Sequence, residues 1–335
     1  MKPASIARVY RPTPRNLSLL ARVLAEGGLV AAPTETVYGL AADAFNPKAC
    51  RAIFRAKGRP ASDPLIVHVG SLSQAGEVAK LNNDARKIAQ AFWPGPLTLV
   101  LPKQPGVPAI VTSGLPSVAI RMPAHRLFRE LIRRSGRPLA APSANPFGYV
   151  SPTTADHVRD GLGRRIRHIL DGGAAKIGVE STILDLRDPA HPALLRPGAI
   201  SREALEQVLG RKIAAYRRKT QPHTAAIAPG MLERHYSPRT PLTLVRKLTH
   251  THVRRATANE ALLFVQQPEG LTGKNIFWLS AEQGGLTQAA HRLFDRLRTI
   301  DDGSWSHIHA ELAPGTGALA LAINDRLARA AAKRQ

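Results

Sequence analysis

Short apolar runs and longer amphipathic stretches alternate along the first 210 positions. The runs at 29–32, 65–69, 97–101, 118–122, 139–141, 168–170 and 181–186 read as buried strands. Between them lie helical patterns. Asn16 is placed to cap a helix through about Glu26, ended by Gly27-Gly28. Asn46-Pro47, a cap followed by proline in the first turn, starts a helix that runs to Lys57 and stops at Gly58. Helical patches flank Asn82-Asn83, another covers 126–134, and Ser201 caps one to Leu209. Strands and helices interleave, so residues 1–210 read as an α/β domain. Many strands on short links predict a twisted mixed sheet rather than a purely parallel one.

The pattern changes near Gly210. Residues 211–241 are basic, carry Pro222, Pro229, Pro238 and Pro241, and show little apolar periodicity. This is the signature of a linker lying on a surface. Residues 242–335 resume with strands at 242–245, 261–265 and 275–279 and helices at 285–298 and 317–332. They predict a smaller C-terminal α/β domain.

Composition narrows the class. At 44% hydrophobic and 21% charged residues, the 335-residue chain is ordinary globular material. Cys50 is the only cysteine, which excludes an internal disulfide and a multi-cysteine metal site. No apolar run reaches about 18 residues and the N-terminus lacks a signal-like apolar region, so a soluble cytoplasmic protein with no membrane partner is expected. Lys and Arg number 47 against 24 Asp and Glu, a net charge of +23 that attracts polyanions. The clusters Arg164-Arg165-x-Arg167 and Arg217-Arg218-Lys219 are short, and 5% aromatic residues make a poor stacking platform. Weak, salt-sensitive association with tRNA or double-stranded RNA is expected, not sequence-specific readout.

Several chemistries are missing. The chain has no Walker loop, no Gly-x-Gly-x-x-Gly after its first strand, no His-Glu-x-x-His and no Gly-x-Ser-x-Gly. No metal-ligand set is legible. What remains is polar residues gathered at strand ends, where open α/β sheets collect ligands. Thr34, Thr36 and Tyr38 follow the first strand, and Lys57 and Arg59 follow a helix. His68 lies within a strand, and Ser117 precedes the strand that carries Arg121. Ser143 and Asn145 follow another strand, Ser151 opens the next element, Ser181 and Thr182 begin a further one, and Arg196 closes the last.

Each has a plainer reading. Thr34 and Thr36 suit a self-bonded turn, Lys57 and Arg59 a helix C-terminus, and His68 a core position. Ser143 and Asn145 suit a turn, Arg196 a surface site, and Gly315-Thr316-Gly317 either a phosphate-binding turn or a simple helix start. Arg121, inside Val-Ala-Ile-Arg-Met, is costly to bury alone and needs an anion, either structural or a ligand.

The combination resembles the YrdC-like family in its long two-domain form, the threonylcarbamoyl-AMP synthases. It rests on Pro-Thr-Glu-Thr-Val-Tyr-Gly-Leu (33–40), Lys-Gly-Arg-Pro (57–60), Pro-Leu-Ile-Val-His (64–68) and Trp-Pro-Gly-Pro-Leu-Thr (93–98). Arg-Met-Pro (121–123), Ala-Pro-Ser-Ala-Asn (141–145), Glu-Ser-Thr-Ile (180–183) and Leu-Arg-Pro-Gly (195–198) continue it. Pro-Gly-Met-x-x-x-His-Tyr-Ser-Pro (229–238) and Ala-Ile-Asn-Asp-Arg (322–326) complete it.

The resemblance implies a YrdC-like sheet domain with an open basic cavity and a Rossmann-like C-terminal domain. It implies synthesis of threonylcarbamoyl-AMP and pyrophosphate from L-threonine, bicarbonate and ATP, with Mg²⁺ accompanying ATP and no organic cofactor. A threonylcarbamoyl-transferase complex would consume the product to modify tRNA beside the anticodon. By the same resemblance Thr36, His68, Arg121 and Ser181 hold threonine. Arg59, Asp63, Ser117, Ser143, Asn145, Ser151, Arg196 and Tyr236 hold the nucleotide, and Lys57 and Arg59 are catalytic, with Lys57 facing the phosphates. Tyr236 would close over the site from the linker like a lid. Asp63 departs from the family's usual asparagine; a carboxylate there repels phosphate unless Mg²⁺ or Arg59 intervenes.

Two rivals stay distinct from this reading. One is an RNA-binding protein without chemistry. The other is a hydrogenase-maturation protein with a similar domain, which a single cysteine disfavours.

Overall fold

The computed structural model describes residues 6–215, 227–228, 235–281 and 284–332. The chain opens with β1 (Arg8–Tyr10), α1 (Pro14–Ala25), β2 (Val30–Pro33), β3 (Tyr38–Asp43), α2 (Pro47–Lys57) and β4 (Ile66–His68). It continues through α3 (Leu72–Val78), α4 (Asn83–Phe92), β5 (Leu97–Pro102), α5 (Ala109–Thr112), β6 (Ser117–Arg121) and α6 (Arg126–Ser135). Then come β7 (Leu139–Ala140), α7 (Ala155–Leu162), β8 (His168–Leu170), β9 (Thr182–Asp185), β10 (Ala193–Arg196) and α8 (Arg202–Leu209). Past 211–241 follow β11 (Leu242–Val245), α9 (His250–Arg255), β12 (Glu260–Gln266), β13 (Ile276–Ser280), α10 (Gly285–Ile300), β14 (His307–Glu311) and α11 (Ala318–Ala330).

Local chemistry accounts for most helix ends. Asn46 Oδ1 accepts from the amides of Lys48 and Ala49 at 3.0 and 3.1 Å, and Gly58 closes α2 at φ +65°. Ser201 caps α8 as read, accepting from Ala204 N at 3.1 Å. The start of α1 needs correction. Thr13, not Asn16, is the cap, with Pro14 in the first turn, because Thr13 Oγ1 takes the Asn16 amide at 3.2 Å. Asn16 instead donates its side chain back to Arg11 O.

β1 to β10 form one mixed sheet, ordered β1-β8-β2-β3-β7-β4-β6-β5-β9-β10. β2 and β3 make an antiparallel hairpin, while β4 pairs parallel with β6 and antiparallel with β7. One face packs on α1 and α6 through Leu17, Leu20, Leu24, Phe128 and Leu131. The other face packs Leu40, Val67, Leu99 and Ile120 with Ile53, Ile88, Val158 and Leu205 of α2, α4, α7 and α8. Ala228 of the linker is buried against Ile66, Val100, Ala119 and Ile183, so this part of the linker covers sheet.

The second sheet is entirely parallel, ordered β11-β14-β12-β13. Taken in its own sequence order this is 1-4-2-3, which differs from the 3-2-1 of a dinucleotide-binding half. Its core joins Leu293, Phe294, Leu297 and Leu327 to Val37, Val150 and Val179 of the first region and to Tyr236. Gly178 (φ +83°) makes one such approach possible. A Cβ there would lie 2.4 Å from Ala290 O and 2.5 Å from His291 Cα.

Candidate active site

The β2–β3 hairpin turn is built by Thr34. Its hydroxyl donates to Val37 O at 2.7 Å and also contacts Thr36 Oγ1 at 2.8 Å. With its single proton given to Val37, Thr34 accepts from Thr36. Thr36 in turn accepts from Arg121 Nη1 at 3.0 Å, which fixes a relay Arg121 → Thr36 → Thr34. Arg121, at the end of β6, also donates Nε to Gly95 O at 3.2 Å and lies 2.6 Å from Glu35 Oε1 through Nη2. Glu35 is therefore the buried anion that Arg121 requires. Burial, the largest single influence, raises the Glu35 pKa, but the charge and hydrogen bond of Arg121 together with backbone hydrogen bonds outweigh it, and the carboxyl ends below its ordinary value.

His68 ends β4 in register with Arg121. Burial, reinforced by the Arg121 charge, pulls its pKa down to about 3, so the ring is neutral. Its Nδ1 is buried without a hydrogen-bond partner among the described residues. On the opposite wall, Ser181 Oγ meets Thr98 Oγ1 at 2.8 Å. Arg196 clasps Ser181 through Nε to its carbonyl at 3.0 Å and Nη2 to its hydroxyl at 3.1 Å.

Thr36, His68, Arg121, Ser181 and Arg196 line one small cavity of about 50 Å³ with Thr34, Arg59, Ser143, Glu180, His235 and Tyr236. The cavity thus gathers eight of the expected residues: Thr36, Arg59, His68, Arg121, Ser143, Ser181, Arg196 and Tyr236. It is far tighter than the open cavity expected, because His235 and Tyr236, both buried, also form its wall. Tyr236 holds a left-handed backbone at φ +63°, and its ring lies 5.4 Å from that of Phe294 in α10.

Five expected residues do not line this cavity. Lys57, expected to face the phosphates, instead gives Nζ to Ser143 O and Asn145 O, both at 2.6 Å. Burial, then the neighbouring Arg59, pushes its pKa well below the ordinary lysine value. An ammonium so enclosed needs those carbonyls. Asn145 sits behind the same loop, donating to Pro146 O and Tyr149 O at 3.0 and 2.7 Å. Ser151 gives its hydroxyl to Glu180 Oε1 at 2.6 Å. The Ser117 hydroxyl is buried with no hydrogen-bond partner among the described residues.

Asp63 pairs with Arg59 Nη2 at 2.9 Å, both side chains buried. Arg59 also donates to Asp63 O at 3.0 Å and Pro64 O at 2.7 Å. Burial raises the Asp63 pKa against the pull of Arg59, Lys57 and Arg196. Arg59 supplies a cation that a carboxylate at this place requires.

The sequence reading passed over Glu35 and Glu180 as site residues. Both stood inside quoted motifs, and Arg121's need for an anion was the available signal for Glu35. Among the described residues no three His, Cys, Asp or Glu side chains gather as a metal site, and no helix is long and apolar enough to cross a membrane.

A family model described as "Telomere recombination" (Sua5, YciO and YrdC) matches residues 22–198. A second model, the C-terminal domain of threonylcarbamoyl-AMP synthase, matches residues 200–332. The chain belongs to the threonylcarbamoyl-AMP synthase family. A threonylcarbamoyl-AMP synthase of Pyrococcus abyssi is 42% identical over 330 residues, 95% of this chain and 94% of that one. One of Bacillus subtilis is 41% identical over 322 residues, 94% and 92% of the two chains. Among solved structures, P. abyssi Sua5 complexed with L-threonine aligns at TM-score 0.87 and 38% identity, covering 98% of each chain. The two-domain family form seen in the sequence is thus borne out, with a mixed sheet followed by a smaller one. Within this family frame, the cavity places the expected threonine set (Thr36, His68, Arg121, Ser181) beside four of the expected nucleotide set (Arg59, Ser143, Arg196, Tyr236).

Proposed function

We propose that this chain joins L-threonine, bicarbonate and ATP into threonylcarbamoyl-AMP with release of pyrophosphate, as a nucleotidyltransferase serving threonylcarbamoyladenosine formation in tRNA. One observation carries the reading: residues expected to hold threonine and residues expected to hold nucleotide line a single cavity. The threonine amine attacks the bicarbonate carbon and water leaves, which gives a carbamate. A carbamate oxygen attacks the α-phosphorus, and pyrophosphate leaves. No covalent protein nucleophile is needed, so the work is positioning two anions and offsetting their charge.

Arg121 and Thr36, already joined, provide donors on the threonine side, and neutral His68 adds a ring nitrogen. Arg59, Arg196, Ser143 and Tyr236 face the nucleotide. Lys57 acts from behind, holding the Ser143–Asn145 loop. Mg²⁺ fits as an ion carried by the triphosphate, since Glu35, Asp63 and Glu180 are each engaged by an arginine. Ligand sites for drug-sized molecules measure about 300–1,000 Å³. A cavity of about 50 Å³ must therefore widen to admit ATP, and Tyr236 acting as a lid from the linker supplies that motion.

The residues divide functionally into a catalytic part (1–210), the linker (211–241) and the C-terminal part (242–335). The protein works in the cytoplasm, hands its product to a threonylcarbamoyl-transferase complex, and meets tRNA weakly through surface charge. The test is pyrophosphate release from ATP with and without L-threonine and bicarbonate, with the adenylate identified by mass. Release that needs both co-substrates and gives the threonylcarbamoyl-AMP mass is expected. Release without them, or tight RNA binding with no turnover, overturns the reading.

A further inference from the structure

α11 belongs to the C-terminal sheet region, yet the Arg326 side chain makes three of its hydrogen bonds to the other region. Arg326 is fully buried. Its Nε pairs with Glu180 Oε2 at 3.0 Å, and its Nη2 donates to Glu180 O at 3.2 Å. Its Nη1 donates to Pro197 O at 2.7 Å and to Asp325 Oδ2 at 3.2 Å. The guanidinium also lies 5.8 Å from the centre of the Tyr236 ring.

The chain positions matter. Glu180 precedes Ser181, and Pro197 follows Arg196. Ser181 and Arg196 line the cavity and are bonded to each other, and Glu180 and Tyr236 line it too. Arg326, which does not line it, therefore grips both chain segments that form one wall and packs on the aromatic ring of another.

We infer that Arg326 is a positioning residue of the active site, through which the C-terminal domain completes the catalytic pocket. It does two things. It neutralises Glu180, a carboxylate that would otherwise repel the phosphates and the carbamate from the cavity wall. It also sets the spacing of Ser181, Arg196 and Tyr236. A lysine cannot replace it, because one ammonium lacks the planar fork that reaches Glu180 Oε2, Glu180 O and Pro197 O together. The role rests on the synthase reading above. It explains why a C-terminal Asp-Arg motif accompanies the catalytic motifs in this chain.

The experiment compares the full-length parent, Arg326→Met, Arg326→Lys and the double variant Glu180→Gln/Arg326→Met, by threonine-dependent pyrophosphate release at varied ATP. Arg326→Met should raise the KM for ATP by about tenfold or more, since it strands a buried carboxylate at the cavity wall. Adding Glu180→Gln should recover a large part of that loss, because the stranded charge is gone. Arg326→Lys should fall between parent and Arg326→Met, and it carries the test alone if the methionine variants do not fold. An unchanged KM in Arg326→Met or Arg326→Lys overturns the inference, as does a double variant no better than the single. A parent that makes no threonylcarbamoyl-AMP defeats the synthase reading instead, so the two failures are distinct.

Discussion

Arg121 offers the sharpest test of how this site is built, because its charge has an internal partner. Its side chain is 4% exposed and that of Glu35 8%, with 2.6 Å between Nη2 and Oε1. Replacing Arg121 by methionine keeps most of the stem volume but leaves Glu35 buried and unpaired, and removes the donor to Thr36 Oγ1. Breaking a buried pair from one side costs about 3–5 kcal/mol. In a protein of this size that lowers the Tm by about 4–7 °C. The double variant Glu35→Gln/Arg121→Met removes both charges and should regain most of the stability. Thermal melts of the three proteins, followed by calorimetric titration with L-threonine, read both effects. The expected result is a destabilised single variant, a recovered double variant, and threonine binding lost in both. A single variant melting within about 2 °C of the parent refutes the pairing argument. Threonine binding that survives in the recovered double variant refutes the ligand role.

Lys57→Ala should lower turnover by about a hundredfold, acting through the freed Ser143–Asn145 loop. A loss under about threefold removes Lys57 from the mechanism. Asp63→Asn should leave the KM for ATP within about threefold of the parent, since Arg59 keeps its bonds to Asp63 O and Pro64 O. A larger rise would put Asp63 in the nucleotide site. His68 sets an acid limit: its folded pKa of about 3 lies below the ordinary 6.5. Between those values the unfolded chain binds a proton that the folded one refuses, so stability falls as pH drops from 6.5 towards 3. His68→Gln should flatten the dependence of unfolding free energy on pH in this window by up to about 1.4 kcal/mol per pH unit; identical slopes would show that His68 titrates normally.

What the sequence could show was set by the range of the forces involved. α2 was legible to the residue because Asn46, Pro47 and Gly58 act within one turn of its ends. β3 was not, because Tyr-Gly-Leu-Ala-Ala-Asp has no run of β-branched residues and becomes a strand by pairing with β2 and β7. β14, with histidines on alternate positions, is likewise a strand through its neighbours β11 and β12. At the site, residue types survived better than directions. Ser143 and Ser151 look alike in sequence, yet one lines the cavity and the other is consumed by Glu180. The partner of Arg121 was foreseeable as an anion, but only the fold names Glu35.

The arginine pairs also separate two properties that net charge alone would merge. Arg59 and Arg121, the cations expected to make the cavity basic, each face a buried carboxylate in Asp63 and Glu35. Glu180 on the cavity wall is matched by Arg326. The excess of +23 is therefore not stored at the site. The surface excess and the paired charges at the cavity are thus different sets of groups. Salt screens exposed charges much more than buried pairs, so rising ionic strength should weaken the pull of the surface excess while leaving the buried pairs at the cavity in place. On the proposed reading, anionic substrates would meet oriented hydrogen-bond donors on arginines already held in place, which is the condition for stabilising a transition state without first reorganising the protein.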